Sequence, residues 1–126
     1  MARVLVVDDD NAVRGVLQLI LRRAGYDVSI AGNGLEALDM LRSGGADLVL
    51  LDIEMPGMNG LEFCEQLRAD PSWRKIPVIM MTGRPVDGIP EKVLQAGALE
   101  LVSKPFERVA LLEKVKAWLA ACSAAQ

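Results

Sequence analysis

Four stretches of the sequence place chemically capable residues directly behind apolar runs: Asp8-Asp9-Asp10, Asp52, Thr82-Gly83 and Lys104-Pro105. Singly, each has an ordinary reading. Aspartates cap helices or open turns, a threonine can end a strand, and a lysine can stand in solvent. Together they make a narrower set of acids, one hydroxyl and one cation, in a chain with no histidine and with two distant cysteines, Cys64 and Cys122. If Asp8, Asp9 and Asp52 gather at one point they repel one another, and Lys104 supplies only one compensating charge. A divalent cation resolves the conflict, and donors that are all oxygen favour Mg²⁺, which takes one or two carboxylates and keeps several waters. A carboxylate in such a place can also attack phosphorus and form an acyl phosphate. Lys104, the Thr82 hydroxyl and backbone N–H groups near Gly83 would then stabilise the phosphoryl oxygens. A glycine at 83 keeps that approach open.

These residues act together only if the fold gathers them, and the apolar pattern states how. Short β-branched runs alternate with stretches of helical period, five times over: strands at Val4 to Val7, Asp27 to Ala31, Asp47 to Leu51, Ile76 to Met81 and Leu99 to Val102. Between them, Val13, Val16, Leu17, Ile20 and Leu21 stripe a first helix with Asn11 as its expected N-cap and Gly25 as its stop. Leu35, Leu38 and Leu41 stripe a second that ends at Gly44-Gly45, and Leu61, Cys64 and Leu67 a third that breaks at Asp70-Pro71-Ser72. Pro90 suits the first turn of a short fourth helix reaching about Ala96, and Leu112, Val115 and Leu119 stripe the last, with Leu111 and Trp118 beside them. Continuous apolar strands separated by helices imply a parallel sheet covered on both faces, an α/β doubly wound five-stranded sandwich with five helices. Right-handed crossovers then bring every strand's C-terminal end to one edge, where ligands bind in folds of this type.

Composition narrows the functions. The chain has 126 residues, 52% of them hydrophobic, and a formal net charge of -3. That is one domain's worth of core, with no basic excess to draw nucleic acid or an anionic membrane. Apolar runs such as Ile76 to Met81 fall far short of the roughly 20 residues that span a bilayer. Met1-Ala2-Arg3 leads straight into a strand and leaves no room for a signal peptide, so a cytoplasmic location is expected. The cysteine spacing and the lack of histidine argue against a disulfide, a zinc site or histidine-based catalysis.

The segments Val6-Val7-Asp8-Asp9, Leu51-Asp52-Ile53-Glu54-Met55-Pro56-Gly57-Met58-Asn59-Gly60, Met81-Thr82-Gly83 and Lys104-Pro105-Phe106 resemble the receiver domain of two-component response regulators, over about Arg3 to Leu119. The resemblance implies a flavodoxin-like (βα)5 receiver at residues 1–121 with a short Ala-rich tail at 122–126. It implies that Asp52 is the phosphoacceptor, that Asp9, Asp52 and the backbone carbonyl of Glu54 bind Mg²⁺, and that Asp8 assists through water. Thr82 and Lys104 would hold the phosphoryl group, and the Lys104-Pro105 peptide would be cis. The donor would be a phosphohistidine on a sensor histidine kinase or histidine phosphotransfer protein, and the listener a separate output protein or a fused output domain. No direct nucleic-acid or membrane contact is expected of the domain.

Two features depart from the common pattern of that family. Leu101 stands three residues before the lysine, where many receivers carry a switch aromatic, and the Arg84-Pro85-Val86-Asp87-Gly88-Ile89-Pro90 loop suggests a reshaped fourth helix. In receivers the residues two after the acceptor and two after the threonine flank the path of the hydrolytic water. Here these are Glu54 and Arg84, which could pair across the phosphoryl group. Two other functions compete. One is an aspartate-nucleophile phosphohydrolase of the haloacid dehalogenase type, against which stand an acid on the third strand rather than the first and the lack of any segment for a cap. The other is an unphosphorylated receiver-like scaffold, against which stands the complete acidic set.

Overall fold

The computed structural model describes residues 2–55, 57–83, 89–104 and 106–124. Strands β1 (Arg3–Val7), β2 (Asp27–Ala31), β3 (Leu48–Asp52), β4 (Val78–Thr82) and β5 (Glu100–Ser103) alternate with helices α1 (Asn11–Arg23), α2 (Gly34–Ser43), α3 (Gly60–Ala69), α4 (Ile89–Ala96) and α5 (Arg108–Ala124). The strands form one parallel sheet in the order β2-β1-β3-β4-β5.

Side chains alternate across the sheet and build two cores. Leu5, Val7, Val49, Leu51, Val78 and Met80 face α2, α3 and α4, meeting Leu38, Leu41, Phe63, Leu67 and Val93. Val4, Val6, Leu48, Leu50, Ile79 and Met81 face α1 and α5, meeting Leu17, Leu21, Leu111 and Val115. Because β3 and β4 are buried on both faces, their sequences are unbroken apolar runs and show no alternation. The expected fold class holds, and no helix among the described residues is long and apolar enough to cross a membrane.

Local signals differ from expectation in three places. The N-cap of α1 is Asp10, whose Oδ1 accepts from the Ala12 N–H at 2.8 Å, and Asn11 is the first helical residue. Val16 and Leu35, expected on buried stripes, are exposed, and Leu111 and Val115 are the buried pair among the described side chains of α5. The other central stripe residues, Leu17, Leu21, Leu38, Leu41, Cys64 and Leu67, are buried as expected. Strands β3, β4 and β5 also run one residue further than expected, ending in Asp52, Thr82 and Ser103. Asp52 stays in register opposite Met81, and Thr82 opposite Ser103.

Candidate functional site

Three strand ends and one following loop converge at the C-terminal edge of the sheet. Directly after β1, Asp8 is fully buried. Its N–H donates to the Ala31 carbonyl at 3.1 Å, and its Oδ1 accepts from the Asp10 N–H at 2.9 Å. Asp52 closes β3 at 2% exposure, and its Oδ1 accepts from the Glu54 N–H at 3.2 Å. Behind it the chain turns sharply into α3, where the Gly60 N–H donates to the Ile53 carbonyl at 3.0 Å. Thr82 closes β4 at 1% exposure, and its carbonyl accepts from the Lys104 N–H at 2.7 Å, which locks the loop after β5 against β4.

The charges are arranged around Lys104. Its Nζ lies 2.7 Å from Oδ2 of Asp8 and 3.5 Å from Oδ1 of Asp52. Burial alone would lower the lysine's pKa, but the hydrogen bond to Asp8 and the charges of Asp52 and Asp8 hold it above the ordinary value. The Asp52 carboxyl is pushed up to about 6, first by burial and then by the Asp8 charge, against the opposing pull of Lys104. One lysine does not neutralise this pocket. Asp8, Asp9 and Asp52 each offer a carboxylate oxygen, all within 4.8 Å of one another. Those donors fit a hard divalent cation that binds oxygen.

The structure thus brings together Asp8, Asp9, Asp52 and Lys104 as expected, with Thr82 at the same edge. The Glu54 side chain reaches across to the end of β4, where its Oε1 accepts from the Thr82 hydroxyl at 2.8 Å. Its expected partner Arg84, like Pro105 of the expected cis peptide, lies outside the described residues. Gly83 is exposed, and a Cβ there would come only to 3.9 Å from Glu54 Oε2, an ordinary contact. Leu101 is half-buried on β5 opposite Met80 and packs on the core under α2, α3 and α4.

The family model for the response regulator receiver domain matches residues 4–116. The chain belongs to that family. Receiver domains are the phosphorylation-controlled switches of two-component signalling. The receiver is 46% identical over 118 residues to the uncharacterized transcriptional regulatory protein YkoG of Bacillus subtilis, covering 92% of this chain and 50% of that protein. It is 44% identical over 119 residues to the response regulator MprA of Mycobacterium avium, again covering 93% of this chain and 50% of the other. The chain therefore spans about half the length of the curated relatives it matches. Among solved structures, a CheY-like receiver domain protein of Methanospirillum hungatei superposes with a TM-score of 0.92 at 32% identity, covering 100% of this chain and 99% of that one. CheY4, a chemotaxis protein of Vibrio cholerae, does so with 0.88 at 32% identity, covering 93% and 98%.

One residue of the receiver's site escaped the sequence reading. The guanidinium of Arg14 donates through Nη1 to the Asp8 backbone carbonyl at 2.7 Å and through Nη2 to the Asn11 side chain. It ties the start of α1 to the turn that carries Asp8 and Asp9. A basic residue one turn into a helix that follows an acidic strand end is the signal that could have found it.

Proposed function

We propose that this receiver takes a phosphoryl group onto the carboxylate of Asp52 from a phosphohistidine donor, with Mg²⁺ held by Asp9, Asp52 and the Glu54 carbonyl and with Asp8 acting through water. The observation that carries this reading is the burial of Asp8 and Asp52 beside a single lysine, with three carboxylate oxygens inside 4.8 Å. Such a cluster costs stability unless a cation joins it, and structural needs alone give no reason to build one. When bound, Mg²⁺ supplies positive charge for the phosphoryl oxygens and screens the acids from the arriving anion.

The protein's own groups do the rest. At neutral pH an Asp52 carboxyl titrating near 6 is mostly ionised, so an oxygen lone pair is available. As the new O–P bond forms, the P–N bond to the donor imidazole breaks; the imidazole keeps the bonding pair and takes a proton. Lys104 turns from the acids toward the transferred oxygens, and the Thr82 hydroxyl donates to one of them. The protein turns over no separate substrate; transfer to itself and later loss to water are its whole chemistry.

The donor would be a sensor histidine kinase or a histidine phosphotransfer protein, in the cytoplasm. Output would pass through a partner or a fused domain. DNA contact, suggested by relatives such as the DNA-binding response regulator MtrA of Mycolicibacterium smegmatis, would belong to that output and not to residues 1–121. With Leu101 in place of an aromatic, the signal would run through Thr82 and residues 84–90 to α4, β5 and α5. Acetyl phosphate or a phosphohistidine protein should label the wild type only with Mg²⁺ present and should not label Asp52→Asn. Labelling of Asp52→Asn at the wild-type rate would defeat the reading.

A further inference from the structure

The transfer chemistry assigns no task to the carboxylate of Glu54, yet the residue is held at two points. Its backbone N–H donates to Asp52 Oδ1 at 3.2 Å, its Oε1 takes the Thr82 hydroxyl at 2.8 Å, and its Oε2 lies over Gly83, 3.9 Å from where a Cβ would stand. Glu54 therefore bridges the ends of β3 and β4. A threonine hydroxyl has one proton and can donate it to one strong acceptor at a time. In this structure that proton goes to Glu54.

We propose that Glu54 is a positioning residue that keeps the receiver in its resting state by occupying the Thr82 hydroxyl, so that an arriving phosphoryl group must displace a carboxylate to claim it. The inference rests on the reading of Asp52 as acceptor. Both competing acceptors are anionic, and hydrogen bonds to charged acceptors are the stronger kind, so the exchange is a contest between comparable partners. The resting bond lowers the phosphoryl group's net gain from Thr82. It thereby weakens the bias that phosphorylation can place on the two-state equilibrium, which is bounded by the difference in affinity between the states.

Beryllofluoride affinity at saturating Mg²⁺ tests this for Glu54→Ala and Glu54→Gln, each with Thr82 present and in a Thr82→Ala background. Glu54→Ala should bind the mimic about tenfold more tightly. Glu54→Gln keeps a carbonyl acceptor at the same place, uncharged and therefore weaker, and should bind the mimic between Glu54→Ala and wild type. Without the Thr82 hydroxyl, the Glu54→Ala gain should vanish, since the two residues act through one contact. If Glu54 acts only by repelling the incoming anion, Gln and Ala will gain equally and the gain will survive Thr82→Ala; that result overturns the proposal, as does an unchanged affinity. A second readout needs neither metal nor mimic: the Thr82 methyl resonance should move in Glu54→Ala and stay near its wild-type position in Glu54→Gln. An unmoved resonance in Glu54→Ala also overturns it. Labelling that depends on Asp52 but ignores Glu54 defeats this inference alone, whereas labelling that ignores Asp52 defeats the reading beneath it.

Discussion

The ammonium of Lys104 sits 2.7 Å from Asp8, closer than the 3.5 Å that separates it from Asp52. The lysine thus guards the fully buried Asp8 and leaves Asp52 only partly compensated. Removing it should leave two buried carboxylates facing each other. Lys104→Met is expected to destabilise the metal-free protein by about 2–4 kcal/mol at pH 7, on the scale of a broken buried pair. Saturating Mg²⁺ should return more stability to Lys104→Met than to wild type. Thermal melts with and without the ion check both statements, and an equal Mg²⁺ increment would show that the lysine is not the pocket's countercharge.

Asp52 gives a pH signature. Its carboxyl titrates near 6 in the folded protein against 3.8 for the unperturbed group, so the native state holds that proton more tightly than the unfolded one. Stability from this group is therefore greatest in acid and is lost as pH rises from about 4 to about 6. Its full cost at neutral pH is roughly 3 kcal/mol or less, from the shift itself. Asp52→Asn in metal-free buffer should melt higher than wild type at pH 7 and about equally at pH 4. A difference that does not change between these pH values would mean that the Asp52 charge is not strained.

Asp9 is exposed, unlike Asp8 and Asp52, so losing it should hardly touch the fold. Titration calorimetry should show Asp9→Ala binding Mg²⁺ at least about tenfold more weakly, as expected for a direct ligand. Its metal-free stability should stay within about 0.5 kcal/mol of wild type or rise. Unchanged Mg²⁺ affinity would remove Asp9 from the ligand set.

Gly60 opens α3 close behind the strand that ends in Asp52. A Cβ there would strike the Asp52 carbonyl oxygen and lie 2.8 Å from the Ile53 Cα, both backbone atoms with no rotamer in which to retreat. Gly60→Ala should destabilise by about 1–3 kcal/mol, the scale of overpacking, and should slow labelling because the displaced strand end carries Asp52. Gly15, inside α1 with nothing within 4 Å, is the control: Gly15→Ala should stabilise by about 0.5–1 kcal/mol. Two equal outcomes would refute the close approach.

Much of the site was legible because the rule that reads it is topological. Leu48 to Leu51 announces a strand buried on both faces, and parallel strands send the polar residues after them to one edge. What could not be read depends on orientation. Val16 and Leu35 fit the helical stripes as well as Leu17 and Leu38 do, and only packing against the sheet separates the exposed pair from the buried one. Asp10 and Asn11 are both able caps, and the choice fell to the residue whose carboxylate reaches the Ala12 N–H. The bond between Thr82 and Glu54 joins residues 28 apart through side-chain rotamers, which no spacing encodes. Arg14 was hidden for the same reason, since it meets Asp8 through the backbone carbonyl and not through charge pairing with the carboxylate.

The pairing of Asp8 with Lys104 spans 96 positions and crosses from the inner strand β1 to the loop beyond the edge strand β5. On the ribosome, the acids of β1 and β3 emerge long before their countercharge. A nascent chain holding β1 to β4 would carry its mutual repulsion uncompensated, and closure of the pocket must wait for the last strand. Closure of the pocket thus depends on one contact of high sequence separation, the kind that forms slowly in folding.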